Sequence, residues 1–182
     1  SHEFMTNPRT GTIFLLFPWG SLRESCKAVD GRAYGLDAAT GERKWGFDRN
    51  EPSLTLRGES TPLVLGSRVY MGLDNGKMTV LNLGDGSPVW EQTISVPTGR
   101  ADLDRINDID ADLLQGNDGI FVVTYGGDLA LVDLNTGDSR WRRGVKSYTG
   151  MALAGDKLIV TDDDNRPVGV VHFHDLLRIG VA

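Results

Sequence analysis

Three groupings of side chains in this sequence have types and spacing that could do chemistry. His172 and His174 lie two apart beside Asp175. On an extended strand, residues i and i+2 share a face, so the two imidazoles could meet one divalent metal. A third ligand of the right type is not evident, and Asp175 suits the start of a short helix over Leu176 to Ile179, so no metal site is expected. Asp102, Asp104, Asp108, Asp110 and Asp112 form one acidic stretch, and Asp162, Asp163 and Asp164 another. Calcium loops add a turn glycine and a closing glutamate to such spaced carboxylates. Neither stretch has that arrangement, and solvated loop, turn and interface roles are expected. Cys26, the single cysteine, has no nearby histidine to make a nucleophile pair, and one thiol excludes an internal disulfide framework. No nucleophile elbow, zinc-protease motif, phosphate loop or dinucleotide fingerprint occurs. The expectation is a protein that is not an enzyme and carries no metal and no cofactor.

The elements that must position any site announce themselves through self-similarity. Asp30-Gly31-Arg32-Ala33-Tyr34-Gly35-Leu36-Asp37 leads into Thr40-Gly41-Glu42-Arg43-Lys44-Trp45. Asn75 to Asn82 leads into Asp85-Gly86-Ser87-Pro88-Val89-Trp90, and Gly126 to Asp133 leads into Thr136-Gly137-Asp138-Ser139-Arg140-Trp141. Each unit spans sixteen residues, and the tryptophans fall 45 and then 51 residues apart, close to the period of one four-stranded propeller blade. The first glycine (Gly31, Gly76, Gly127) supplies a positive φ at a hairpin tip. A short apolar strand follows, then an Asp or Asn that can bond the next turn's backbone. The second glycine (Gly41, Gly86, Gly137) turns the chain into an outer strand. That strand's Trp (Trp45, Trp90, Trp141) buries a flat ring between sheets and can donate its indole N–H. These six residues read as structural.

The predicted fold class is all-β, a partial β-propeller of four-stranded antiparallel blades with a short C-terminal helix. Strands are expected at Pro62 to Leu65, Val69 to Leu73, Met78 to Asn82 and Pro88 to Gln92 in a second blade. In a third they are expected at Ala111 to Gln115, Ile120 to Thr124, Leu129 to Asp133 and Ser139 to Arg143. A fourth blade begins with Met151 to Ala154 and Lys157 to Thr161, reaches a tip at Asp164-Asn165 and is followed by no further Thr-Gly-x-x-x-Trp. Residues 5–28 give no clean pair of strands. The expected organisation is a tag and atypical segment at 1–27, about two complete and two partial blades at 28–164, and a distinct tail at 165–182. Open blade edges invite self-association.

Residues 28–164 resemble the BamB family, propeller subunits of the bacterial outer-membrane β-barrel assembly machinery. The resemblance rests on the PQQ-like repeat and on two connections, Pro52-Ser53-Leu54-Thr55-Leu56-Arg57-Gly58-Glu59-Ser60-Thr61-Pro62 and Asp104-Arg105-Ile106-Asn107-Asp108-Ile109-Asp110. It implies a non-enzymatic scaffold in the periplasm, docked on a periplasmic domain of BamA through Leu54, Leu56, Arg57, Asp108 and Asp110. Two leucines at i and i+2 would give an apolar anchor, Arg57 a fork of donors for a carboxylate or carbonyl, and the two aspartates a pair of acceptors. The alternative is that Leu54 and Leu56 pack under the neighbouring blade and Arg57 pairs internally.

Asn165 to Ala182 looks like the closing strand and helix of a CBS module of arabinose-5-phosphate isomerases, which implies a chimera. Ser1 to Phe4 before Met5 read as a cloning scar. A net charge of −6 argues against a nucleic-acid partner. Ile13 to Phe17 is too short to span a bilayer. Neither a signal peptide nor a lipidation cysteine is expected. The competing functional readings are a CBS-type ligand sensor, a degenerate quinoprotein-like propeller enzyme, and an engineered chimera with no native role.

Overall fold

The computed structural model describes residues 3–7, 12–16, 23–27, 33–37, 40–48, 60–73, 76–95, 109, 111–124, 128–144, 150–155, 157–161 and 166–172. All regular structure among them is β. Strands β1 (Glu3–Asn7) and β2 (Thr12–Leu16) form a hairpin. Strands β3 (Arg23–Lys27), β4 (Ala33–Asp37) and β5 (Arg43–Phe47) form a three-stranded antiparallel sheet, and β2 runs next to β3. The second blade is β6 (Leu63–Leu65), β7 (Arg68–Gly72), β8 (Lys77–Asn82) and β9 (Pro88–Thr93). The third is β10 (Leu114–Gln115), β11 (Ile120–Val123), β12 (Asp128–Val132) and β13 (Ser139–Gly144). The fourth sheet is β14 (Gly150–Ala154), β15 (Lys157–Thr161) and β16 (Pro167–His172). Every sheet is an antiparallel meander in chain order. Together they make a partial propeller.

The central strands carry apolar residues on successive positions because both faces are buried, one against each neighbouring blade. On β7, Val69 and Met71 face the first blade, where they meet Ala33 and Trp45 together with Leu81 and Leu83. Tyr70 between them faces the third blade with Met78 and Val80, against Ile120, Val122, Ala130 and Val132. The third blade repeats this alternation. Its Phe121, Val123, Leu129 and Leu131 turn to the fourth sheet and pack on Leu158, Val160 and Val171. Each such fully buried large side chain stabilises the stack by about 1.5–3 kcal/mol. The inner strands β10 and β14 approach one another, as strands around a propeller axis must.

Two features differ from the expected pattern. Residues 3–27 contain three strands, and β3 pairs with β4 throughout, Arg23 with Asp37 through Lys27 with Ala33. Its sequence, Arg-Glu-Ser-Cys-Lys, lacks an apolar alternation, so the ladder and not side-chain patterning places it. At the other end, β16 lies in the segment set apart for its CBS-like sequence. It pairs with β15 from Lys157–His172 to Thr161–Pro167, the position β8 and β12 hold in the complete blades. The short helix expected over Leu176 to Ile179, with His174 and Asp175, falls outside the described residues.

Candidate protein-binding surface

The blades have two ends, and each is held by a different set of polar contacts. At the first, the repeat glycines do what their positions require. Gly41, Gly86 and Gly137 have φ of 72°, 73° and 78°. Each N–H closes a turn onto the carbonyl four residues back, Asp37, Asn82 and Asp133, at 2.7, 2.9 and 3.0 Å. Asp37 accepts from Thr40 N at 3.2 Å, and Asp133 from Asn135 N at 2.8 Å and Thr136 N at 3.2 Å. Asn82 instead donates to Ser87 Oγ at 3.0 Å. The hydrogen bond from Arg140 and the two backbone N–H groups hold the Asp133 carboxyl at about 2, below the usual 3.8.

Those turns receive the tryptophans of the preceding blade. A Cβ placed on Gly86 would meet the Trp45 ring at 2.5 Å, and one on Gly137 would meet the Trp90 ring at 2.8 Å. Trp45 Nε1 donates to the Leu83 carbonyl at 2.8 Å. This end is therefore a row of packing keys, in which Gly86 receives Trp45 and Gly137 receives Trp90. Nothing stands within 4 Å of a Cβ built on Gly41, where no blade precedes it among the described residues.

The opposite end gathers the hairpin tips between second and third strands and the connections from one blade to the next. Its contacts are long-range. Ile94 N and Ser95 N both donate to the Gly76 carbonyl, at 2.7 and 3.2 Å, so the chain leaving β9 is clipped to its own blade's tip. Ser95 Oγ then donates to the Asp128 carboxylate in the third blade. Ile109 N donates to Leu73 O at 3.2 Å, and the Ile109 side chain is buried against Gly72, where a Cβ would overlap it. Thr61 N donates to Asp112 Oδ1 at 2.8 Å across 51 residues.

Leu54, Leu56 and Arg57 of the first connection, and Asp108 and Asp110 of the second, lie outside the described residues. The anchors of both connections are described. Thr61 closes the first, Ile109 and Asp112 lie in and just beyond the second, and the Thr61–Asp112 bond brings their ends together. Sequence reasoning grouped Asp112 with an undifferentiated acidic stretch. The signal that sets it apart is the pairing of its carboxylate with a backbone N–H next to Pro62, visible only in three dimensions. Among the described residues no group of three or more His, Cys, Asp or Glu side chains is arranged to hold a metal ion. Among them no helix is long and apolar enough to cross a membrane.

Comparison with known proteins bears on this surface. A family model described as outer membrane protein assembly factor BamB matches residues 22–174. The BamB of Alkalilimnicola ehrlichii is 47% identical over 115 residues, 63% of this chain and 30% of that protein. The chain thus spans about a third of the length of the curated relatives it matches. The crystal structure of BamB from Moraxella catarrhalis superposes with a TM-score of 0.74 at 20% identity, covering 94% of this chain and 61% of that one. A europium-containing methanol dehydrogenase superposes with a TM-score of 0.57 at 17% identity, covering 72% of this chain and 24% of that one. At such identities the two structures share the fold.

Proposed function

The chain belongs to the family of outer membrane protein assembly factor BamB, and from that premise we propose that it is a non-enzymatic scaffold whose connections Pro52 to Pro62 and Asp104 to Asp110 dock a periplasmic domain of a BamA-type partner at the outer membrane. The observation that supports this reading is the Thr61 N to Asp112 Oδ1 hydrogen bond at 2.8 Å, which ties the end of the first connection to a residue just beyond the second. Leu54 and Leu56 supply its apolar anchor, and Arg57 its bidentate donor. Ile109 is buried, and its N–H donates to Leu73 O. Asp108 and Asp110, its neighbours in sequence, are the two acceptors of the proposed contact. A few residues dominate an interface of this type.

The test is binding of the purified chain to an immobilised BamA-type periplasmic domain. Arg57→Glu reverses the sign of a central contact and is expected to weaken binding at least about tenfold, or 1.4 kcal/mol. The far-UV circular dichroism spectrum stays the same. Binding unchanged by Arg57→Glu would overturn the assignment of this surface.

A further inference from the structure

The segment between Ser95 and Ile109 carries Asp104 and Asp108 of the second connection, and it is pinned at both ends. Where it leaves β9, Ile94 N and Ser95 N donate to the Gly76 carbonyl. Where it returns, Ile109 N donates to the Leu73 carbonyl, and Asp112 just beyond accepts from Thr61 N. Those bonds run to blade two or to the first connection. One bond runs the other way, from Ser95 Oγ to the Asp128 carboxylate of blade three. Ser95 is 2% exposed, and a hydroxyl so buried needs an acceptor. Asp128 is itself fixed, since its N–H donates to Thr124 Oγ1 at 3.2 Å and its carbonyl accepts from Thr124 N at 2.9 Å. The bond is not a general device of the blade. Lys77 opens β8 where Asp128 opens β12, and Lys77 pairs with Glu91 of its own sheet at 3.4 Å. The carboxylate stands at the junction from which the second connection departs.

We propose that Asp128 is a positioning residue: through Ser95 it fixes the point and direction at which the second connection leaves blade two, so that Asp108 and Asp110 are in place before a partner arrives. The inference rests on the docking reading above and adds to it a residue that acts without touching the partner. A segment held at both ends has less freedom to lose on binding. With the Ser95 end released, only a fraction of the molecules hold the connection in its docking arrangement, and the apparent dissociation constant rises by the inverse of that fraction. The contacts made once the partner is bound are unchanged, so the loss falls on the association rate.

The test combines amide hydrogen exchange in the free chain with association and dissociation rates on an immobilised BamA-type periplasmic domain. Asp128→Ala is expected to speed exchange of the Ile94 and Ser95 amides at least about tenfold, while the amides of β7 and β11 keep their protection and show that the blades stay folded. Binding is expected to weaken about three- to tenfold, with a dissociation rate within about twofold of the unaltered chain. Asp128→Asn keeps a carbonyl oxygen for Ser95 Oγ and is expected to restore both. Ser95→Ala, and Ser95→Ala combined with Asp128→Ala, should match Asp128→Ala, because all three remove one bond. Unchanged exchange in Asp128→Ala would overturn the proposal. So would faster exchange with full binding while Arg57→Glu still weakens binding, or a loss that lies in the dissociation rate. Failure of the docking reading is read separately: Arg57→Glu then leaves binding unchanged while Asp128→Ala still frees the Ser95 amide, and the positioning role falls with that reading.

Discussion

The junction between the first and second blades and the junction between the second and third use the same tryptophan-on-glycine contact but satisfy the indole in different ways. In the first, Trp45 is 7% exposed and its N–H reaches the Leu83 carbonyl. In the second, the corresponding carbonyl is that of Leu134. It accepts instead from Tyr70 Oη at 3.1 Å and Arg68 Nη1 at 3.0 Å, and the buried Trp90 N–H has no partner among the described residues. The cause lies one strand away. Cross-strand from Trp45 is Gly35, whereas cross-strand from Trp90 is Val80. A glycine lets the ring lie flat on β4. A valine props it up, and Tyr70, edge-on to Trp90 at 6.2 Å, takes over the bond to the next blade. One contact can therefore be wired by two donors, chosen by the size of the residue beneath the ring.

Exchanging that residue is the strongest way to break the comparison. A Cβ on Gly35 would overlap Trp45 Cε2 and Nε1, and the ring is rigid. Gly35→Val is expected to lift Trp45 from Leu83, losing a buried hydrogen bond and overpacking the junction, at a cost of about 3 kcal/mol. The check is a lower urea midpoint at unchanged slope. A loss below about 1 kcal/mol would mean that the flat ring contributes little.

Trimming the two indoles sharpens the same contrast. Trp45→Phe and Trp90→Phe remove similar ring volume, but only the first strips a donor from a carbonyl that depends on it. Trp45→Phe is therefore expected to destabilise the chain by about 1–2 kcal/mol more than Trp90→Phe. The second change also deletes a buried N–H without a described partner. Equal losses in parallel urea titrations would show that the two junctions are satisfied alike.

Much of this was legible in the sequence, because the repeat is a packing requirement written in residue types. Gly86 and Gly137 could be assigned to turns from their spacing to Trp90 and Trp141. The strands of blades two and three followed from short apolar runs between glycines, with ends within a few residues of those observed. Three things were not legible. The polar strand β3 joins its blade through the backbone ladder, which carries no side-chain signature. β16 lies in the segment whose sequence resembles another family, and its Val171 reaches the core against the third blade. The donor switch from Trp90 to Tyr70 depends on Val80 across the strand, and the Thr61–Asp112 clip on residues 51 apart, neither of which periodicity reveals.

The smallest effect concerns the turn that receives Trp90. Asp133 is bonded to Arg140 Nη2 at 2.6 Å and to two backbone N–H groups, and its carboxyl sits at about 2 in place of 3.8. Asp37, at the matching position of the first blade, accepts from Thr40 N at 3.2 Å and lies 3.6 Å from Lys44 Nζ. A carboxyl whose folded value is depressed adds stability above its unfolded value and loses it as the pH falls through the folded one. The Asp133 contribution is therefore complete above about pH 4 and disappears between there and about pH 2. Arg140 is half exposed, so salt screens part of the pair, and the backbone bonds carry the remainder. Asp133→Asn should flatten the fall in stability across that acid window and leave the neutral-pH midpoint only slightly lower. The check is urea unfolding from pH 5 to pH 2, and an unchanged acid slope would show that the charge on Asp133 does not stabilise this turn.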